Sequence, residues 1–134
     1  MNMRDAYQAF LEELAFTFPS DRILQNEPMR KHTTFRVGGL ADCLLYPATT
    51  AEVQRILSLT KRYALPLTVL GNGSNVLVRD KGIRGIVMVF GQPAAYIERE
   101  GTCLRLGAGT LLRAAAQYAA DHGLTGLEFA AGIP

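Results

Sequence analysis

Leu67-Thr68-Val69-Leu70-Gly71-Asn72-Gly73-Ser74-Asn75-Val76-Leu77-Val78 is an apolar run, a polar turn with two glycines, and a second apolar run. The spacing predicts a strand over 67–70 and another over 76–78, joined by the turn. Two generic phosphate loops fail here. A dinucleotide fingerprint needs a third glycine opening a helix, but Val76 holds that position and the residues after it have strand character. A P-loop needs G-x-x-x-x-G-K-[ST], which is absent. What remains is a strand–turn–strand connection whose glycines allow close backbone approach. Its consecutive amides can form an anion-binding nest. An ordinary tight turn explains the same residues, so the loop alone leaves both readings open.

Upstream, Leu40 to Tyr46 is short, apolar and bounded by Gly39 and Pro47, as a buried strand is. Thr49 followed by Glu52 has capping-box spacing and predicts a helix start. Val53, Ile56, Leu57 and Ala64 are its expected buried stripe, and Pro66 its stop. Strand, helix and strand in this order predict a βαβ unit with a parallel pair. Residues 5–17 predict an N-terminal helix carrying Ala6, Phe10 and Leu14 at fourfold spacing, with Pro19 after it. Ser20 to His32 reads as an irregular connection.

Downstream, Ile86 to Phe90 reads as a strand after a turn region at Asp80 to Gly85. Ala95 to Arg99 and Thr102 to Leu106 flank Glu100-Gly101 as a hairpin. Gly107-Ala108-Gly109 then leads to Thr110, the expected N-cap of a helix ending at His122, with Gly123 as its left-handed stop. Free amides at that helix start offer a second anion site. A third glycine-punctuated stretch runs from Gly126 to Gly132-Ile133-Pro134. Three such connections suggest a ligand lying along a cleft between two subdomains.

The chain's 134 residues, 49% hydrophobic and 19% charged, support one buried core. A formal charge of +2 without a dense basic run indicates no nucleic-acid footprint. Cys43 and Cys103, without a CxxC or a His cluster, indicate neither a metal site nor a disulfide scaffold and read as small buried apolar residues. No apolar stretch reaches the roughly 18 residues of a membrane span, and the N-terminal residues lack a signal-peptide core. The expected address is cytoplasmic, with no nucleic-acid, membrane or obligate protein partner.

Four strings in series, His32-Thr33-Thr34-Phe35-Arg36-Val37-Gly38-Gly39, Val69 to Val78, Gly107-Ala108-Gly109, and Gly126 to Pro134, resemble the UDP-N-acetylenolpyruvoylglucosamine reductase (UDP-N-acetylmuramate dehydrogenase, MurB) family. The resemblance implies an α+β FAD-binding fold of the vanillyl-alcohol-oxidase (PCMH) type. It would have a small βαβ-containing subdomain and the start of a mainly antiparallel second one. Residues 1–25 would be an N-terminal helix and connection, and 26–134 the FAD-binding domain, truncated at its C-terminal side.

The same resemblance places the FAD diphosphate, held non-covalently, on Leu70, Gly71, Asn72, Gly73, Ser74 and Asn75. Gly109 and Gly132-Ile133-Pro134 would lie beside the cofactor. NADPH would be the hydride donor and a small-molecule UDP-sugar, UDP-N-acetylglucosamine enolpyruvate, the substrate reduced for peptidoglycan. The family's catalytic Arg, proton-donor Ser and Glu lie further downstream than residue 134. No catalytic residue and no metal ligand is therefore assigned, and the chain alone is expected to be inactive. The alternatives are a FAD module of another oxidoreductase of this fold, or a non-catalytic cofactor-binding fragment.

Among individual residues, Arg36 reads equally as a phosphate contact or a salt bridge. His32 is not expected to carry covalent flavin. His122 suits a helix C-terminus, and Glu128 is not assigned as an acid. Tyr96, Tyr118 and Phe129 are expected in the core.

Overall fold

The computed structural model describes residues 1–134 and contains three helices and six strands. They are α1 (Met3–Leu14), β1 (Ile23–Pro28), β2 (Leu40–Leu45), α2 (Thr50–Arg62), β3 (Leu67–Leu70), β4 (Ile83–Val89), β5 (Ile97–Glu100), β6 (Cys103–Leu106) and α3 (Leu112–Asp121), with short 3₁₀ turns between some of them. A four-stranded sheet has the order β1-β2-β4-β3, and β5 and β6 form a separate antiparallel hairpin.

The expected βαβ elements form, with one difference in adjacency. β2 and β3 do not pair; β4 lies between them, parallel to both. β4 reads Ile83-Arg84-Gly85-Ile86-Val87-Met88-Val89 and is buried on both faces from Gly85 onward, which suits the central position. One face, through Cys43, Leu45, Ile86 and Met88, packs under α1 and α2 with Phe10, Leu14, Ile56 and Leu59. The opposite face, through Leu44, Val87 and Val89, packs against Met29, Leu70 and Val78. Ten of these residues are fully buried (0% exposed): Phe10, Leu14, Met29, Cys43, Leu44, Leu45, Ile56, Leu59, Ile86 and Val87.

The connection from β3 to β4 has an unusual form. Parallel neighbours need a crossover of about a dozen residues or more, usually a helix. Here residues 71–82, which contain the glycine turn, make the crossover without one. The expected strand at Val76 to Val78 is absent. That segment is extended and apolar because Val78 enters the second core cluster, yet it joins no ladder. Instead the crossover is stitched to residues 33–40. Thr34 N–H donates to Gly73 O at 3.1 Å and Gly39 N–H to Arg79 O at 2.9 Å. A Cβ on Gly39 would sit 2.1 Å from Asp80 O, so the two segments touch backbone to backbone. The two most distinctive strings of the sequence are thus physical neighbours.

Other differences have local causes. β1 lies within the segment read as irregular and pairs antiparallel with β2 at the sheet edge, from Ile23↔Leu45 to Pro28↔Leu40. It crosses the boundary drawn at residue 25, and α1 shares the sheet's core. α1 begins earlier than expected, capped by Asn2, whose side chain accepts from Asp5 N at 2.9 Å. In α2 the cap is as read, Thr49 Oγ1 accepting from Glu52 N. The Glu52 carboxylate, however, takes Ala48 N–H at 2.6 Å and a two-point contact from Arg22 at 2.7 and 2.8 Å. The α2 stripe turns on Ile56, Leu59 and Thr60; Leu57 is exposed, and Ala64 lies past the helix end at φ 50°.

α3 starts at Leu112, with Leu111 rather than Thr110 at its N-cap. The Thr110 hydroxyl is engaged by Tyr96, accepting from its N–H and donating to its carbonyl, so it caps nothing. Gly123, at φ 68°, ends α3 as expected, with Leu124 N–H reaching Ala119 O at 2.8 Å. Cys43 is buried, while Cys103 is exposed on the hairpin, against expectation. Tyr96 and Phe129 are 47% and 77% exposed rather than core, because the hairpin and the last turn pack on little else.

Candidate functional site

A parallel sheet leaves its strand ends without a continuing partner, and ligands of open α/β sheets settle beyond the carboxyl ends. Here three such ends meet: Tyr46 after β2, Gly71-Asn72 after β3, and Val89 to Gly91 in and after β4. Together with residues 30–36, the hairpin entry at Tyr96 and Ile97, and the start of α3, they enclose a cleft of about 1630 Å³. One wall is the four-stranded sheet unit; the other is the hairpin–α3 unit.

The glycine turn is built for close contact at one position and openness at another. Gly73 has φ 68°, and a Cβ there would lie 2.0 Å from His32 O, so only glycine fits without moving the backbone. Gly71 has no heavy atom within 4 Å of its Cβ position and borders the cleft. The amides of Gly71, Asn72, Gly73, Ser74 and Asn75 donate to no protein acceptor, and neither do the side chains of Asn72, Ser74 and Asn75. Backbone donors in a folded chain are normally paired with protein or water. Of these five amides, those of Gly71 and Asn72 belong to residues lining the cleft, where they can receive an anion.

Nearby groups add to this character. Thr33 Oγ1 is buried, lacks a hydrogen-bond partner and belongs to a residue lining the cleft. Arg30, Lys31 and Arg36 line the cleft and make no salt bridge, whereas Arg22 is neutralised by Glu52. Asp21 is the only carboxylate residue in the lining. The Glu52 carboxyl is held below the usual range first by Arg22 and then by the Ala48 and Thr49 amides. α3 presents first-turn amides without a side-chain cap, and Leu111, Leu112 and Ala114 border the cleft.

Of the residues singled out in the sequence, Gly71, Asn72, Gly109 and Pro134 line this cleft. Leu70 lies beneath it, 8% exposed in the second core cluster. Gly73 braces the turn from behind. Ser74 is half-buried and Asn75 exposed, both outside the lining, as are Gly132 and Ile133. Gly109 is a close-approach position: a Cβ there would meet Gly91 O at 1.8 Å, and its N–H donates to Ala94 O. Its amide is therefore used inside the protein rather than left free.

Arg36 reaches the cleft with a left-handed backbone at φ 54°. His32 sits in the cleft wall with both ring nitrogens engaged, by Glu27 at 2.9 Å and Tyr46 at 2.8 Å. His122 Nδ1 contacts Tyr118 O and its ring stacks on Tyr118. Glu128 accepts from Gly126 N–H. Sequence reasoning missed Thr33, Tyr46, Arg30, Lys31 and Gly91. The strand order would have pointed to Tyr46 and Gly91, since each follows a central strand.

The α+β unit with a cleft between a small parallel sheet and a hairpin–helix unit is the FAD-binding fold of the vanillyl-alcohol-oxidase type. It matches 4-ethylphenol oxidase from Gulosibacter chungangensis with a TM-score of 0.67 at 16% identity, over 89% of this chain and 25% of that one. It matches p-cresol methylhydroxylase with a TM-score of 0.67 at 13% identity, over 91% of this chain and 26% of that one. The chain belongs to the FAD-binding domain family, whose model, described as FAD binding domain, matches residues 41–134.

Among curated proteins, it is 49% identical to the UDP-N-acetylenolpyruvoylglucosamine reductase of Desulforamulus reducens over 81% of this chain and 36% of the relative. It is 43% identical to the protein of the same name from Bacillus subtilis, over 84% of this chain and 37% of the relative. The chain spans little more than a third of the length of these relatives.

Proposed function

We propose that the cleft holds FAD non-covalently, with its diphosphate against the amides of Gly71 to Asn75. The chain would then serve as the FAD-binding part of a UDP-N-acetylenolpyruvoylglucosamine reductase. The observation that carries this reading is the run of amides from Gly71 to Asn75 that donate to no protein acceptor, of which Gly71 and Asn72 line the cleft at three parallel strand ends. Gly71 leaves room for the ligand, Gly73 fixes the turn, and Asn72, Ser74 and Asn75 supply neutral donors. Arg30, Lys31 and Arg36 contribute a positive field for a diphosphate. Gly109 holds its segment against Gly91 and Ala94, and Pro134 lines the cleft, led to it by Gly132 and Ile133. The cofactor-binding unit is read as 26–134, braced by residues 1–25.

Bound FAD would supply hydride transfer, with NADPH as donor and the enolpyruvyl UDP-sugar as acceptor. The residues present bind and orient the cofactor and shield it from water on the sheet side. Both nitrogens of His32 are hydrogen-bonded, which favours a non-covalent site. No helix of the chain is long and apolar enough to cross a membrane; a cytoplasmic setting for cell-wall precursor synthesis is part of the proposal. Titrating the chain with FAD and following flavin fluorescence tests the binding role. Saturable uptake that acid reverses is expected, and no uptake would refute it. Turnover of NADPH with the enolpyruvyl substrate by this chain, above a free-flavin blank, would refute the expectation that it acts only as a binding unit.

A further inference from the structure

Glu27, His32 and Tyr46 form a hydrogen-bonded line that ends in the cleft wall. Glu27 Oε1 lies 2.9 Å from His32 Nε2, and Tyr46 Oη lies 2.8 Å from His32 Nδ1. The Glu27 and His32 side chains are only 17% and 15% exposed. They come from different elements: Glu27 from β1, His32 from the turn after it, and Tyr46 from the carboxyl end of β2. The same His32 backbone carbonyl abuts Gly73, and Thr34 N–H holds Gly73 O. One residue therefore connects the glycine turn to the tyrosine.

The direction of the line follows from the neutral form of the His32 ring, both of whose nitrogens are engaged. An ionised carboxylate can only accept, so the proton on Nε2 belongs to the imidazole and points at Glu27. In the neutral ring Nδ1 is then an acceptor, and Tyr46 must donate its hydroxyl proton to it. The phenolic oxygen keeps its lone pairs for the cleft that Tyr46 lines. Burial, and next the Glu27 charge, raise the Tyr46 phenol above its ordinary range, which keeps the hydroxyl protonated.

We propose that Tyr46 is a ligand-contacting group that accepts a hydrogen bond from a hydroxyl or N–H of the bound cofactor, and that His32, set by Glu27, is its positioning residue. A phosphate oxygen, being an acceptor, is not the partner of this subsite; phosphates go to the turn amides. The inference rests on the cofactor reading given above and assigns a donor-recognising subsite to the same cleft.

The test uses this chain with FAD, ADP and FMN as probes. Tyr46→Phe keeps the ring and loses the acceptor. Its FAD affinity falls roughly 3- to 10-fold, the usual effect of one net hydrogen bond. The arm that loses affinity, ADP or FMN, tells whether the donor is on the ribose side or the flavin side. His32→Leu reproduces the loss, while His32→Gln, whose amide can donate to Glu27 and accept from Tyr46, restores most of it. Nitrogen-15 spectra of the ligand-free chain report the Nε2–H tautomer at His32, and Glu27→Leu removes that preference. A wild-type chain that binds none of the three probes overturns both readings. Binding by wild type that Tyr46→Phe leaves unchanged, or a His32 ring protonated on Nδ1, whether alone or together with Nε2, overturns this one only.

Discussion

Replacing Gly73 by Ala tests the link between the glycine turn and the segment beside it. At φ 68° an L-residue incurs a left-handed penalty of about 1–2 kcal/mol. The added Cβ would lie 2.0 Å from His32 O and 3.2 Å from Thr33 Cα, both backbone atoms that cannot swing aside. Relief requires the turn to lift from residues 32–34, which breaks the 3.1 Å bond from Thr34 N–H to Gly73 O. That bond is worth about 1 kcal/mol net, and overpacking adds about 1–3 kcal/mol. Reduced freedom in the unfolded chain returns about 0.4–1 kcal/mol. A net loss near 3 kcal/mol lowers the melting temperature by about 10 °C for a chain of this size.

Urea unfolding followed by circular dichroism measures the loss. Gly71→Ala is the matched control, since nothing lies within 4 Å of its Cβ position. Its stability stays within about 0.5 kcal/mol of the parent, while FAD affinity drops by about tenfold or more, equivalent to 1.4 kcal/mol. Equal stability of the two variants would refute the division of labour between Gly73 and Gly71.

Three further outcomes follow from the geometry. Glu52→Gln weakens the contacts to Arg22 and Ala48, costing roughly 1.5–3 kcal/mol near neutral pH by chemical denaturation. Because the folded Glu52 carboxyl is held below its ordinary value, its stabilisation is present above about pH 4.3 and fades as pH falls through the folded value; the Gln variant shows a shallower acid transition. Cys43, its thiol pushed up to about 12 by burial, stays unreactive in the native chain. Ellman's reagent therefore titrates Cys103 alone until denaturant is added, and a second rapid thiol would contradict the buried placement. Gly109→Ala drives a Cβ to within 1.8 Å of Gly91 O, so it displaces α3 from the cleft; FAD binding and α3 amide protection in hydrogen exchange fall together.

What the sequence revealed and what it hid have the same cause: local pattern reports burial but not neighbours. Ile86 to Phe90 announced itself as a buried strand, yet nothing in it says that it inserts between β2 and β3. Val76 to Val78 looked like a strand because Val78 faces a core, although its backbone makes no ladder. β1 went unseen since its residues are half-exposed at an edge and Asn26 sits at φ 51°. The glycines stood out in the sequence; the structure puts Gly71 and Gly109 in the cleft lining and Gly73 behind the turn against His32 O. Thr33 and Tyr46 lacked any such mark, because their place in the cleft depends on the strand order.

The helix-free crossover bears on how this protein is made. On a ribosome, β2, α2 and β3 emerge before their shared neighbour exists, and β3 has no other partner in the sheet. The parallel unit can close only after residue 89 has been synthesised, and in the closed unit residues 71–82 are hydrogen-bonded to residues 33–40. Non-local pairing of this kind slows folding. Because the glycine turn lies within the crossover that β4 must complete, an anion held at the turn would favour the closed sheet by mass action.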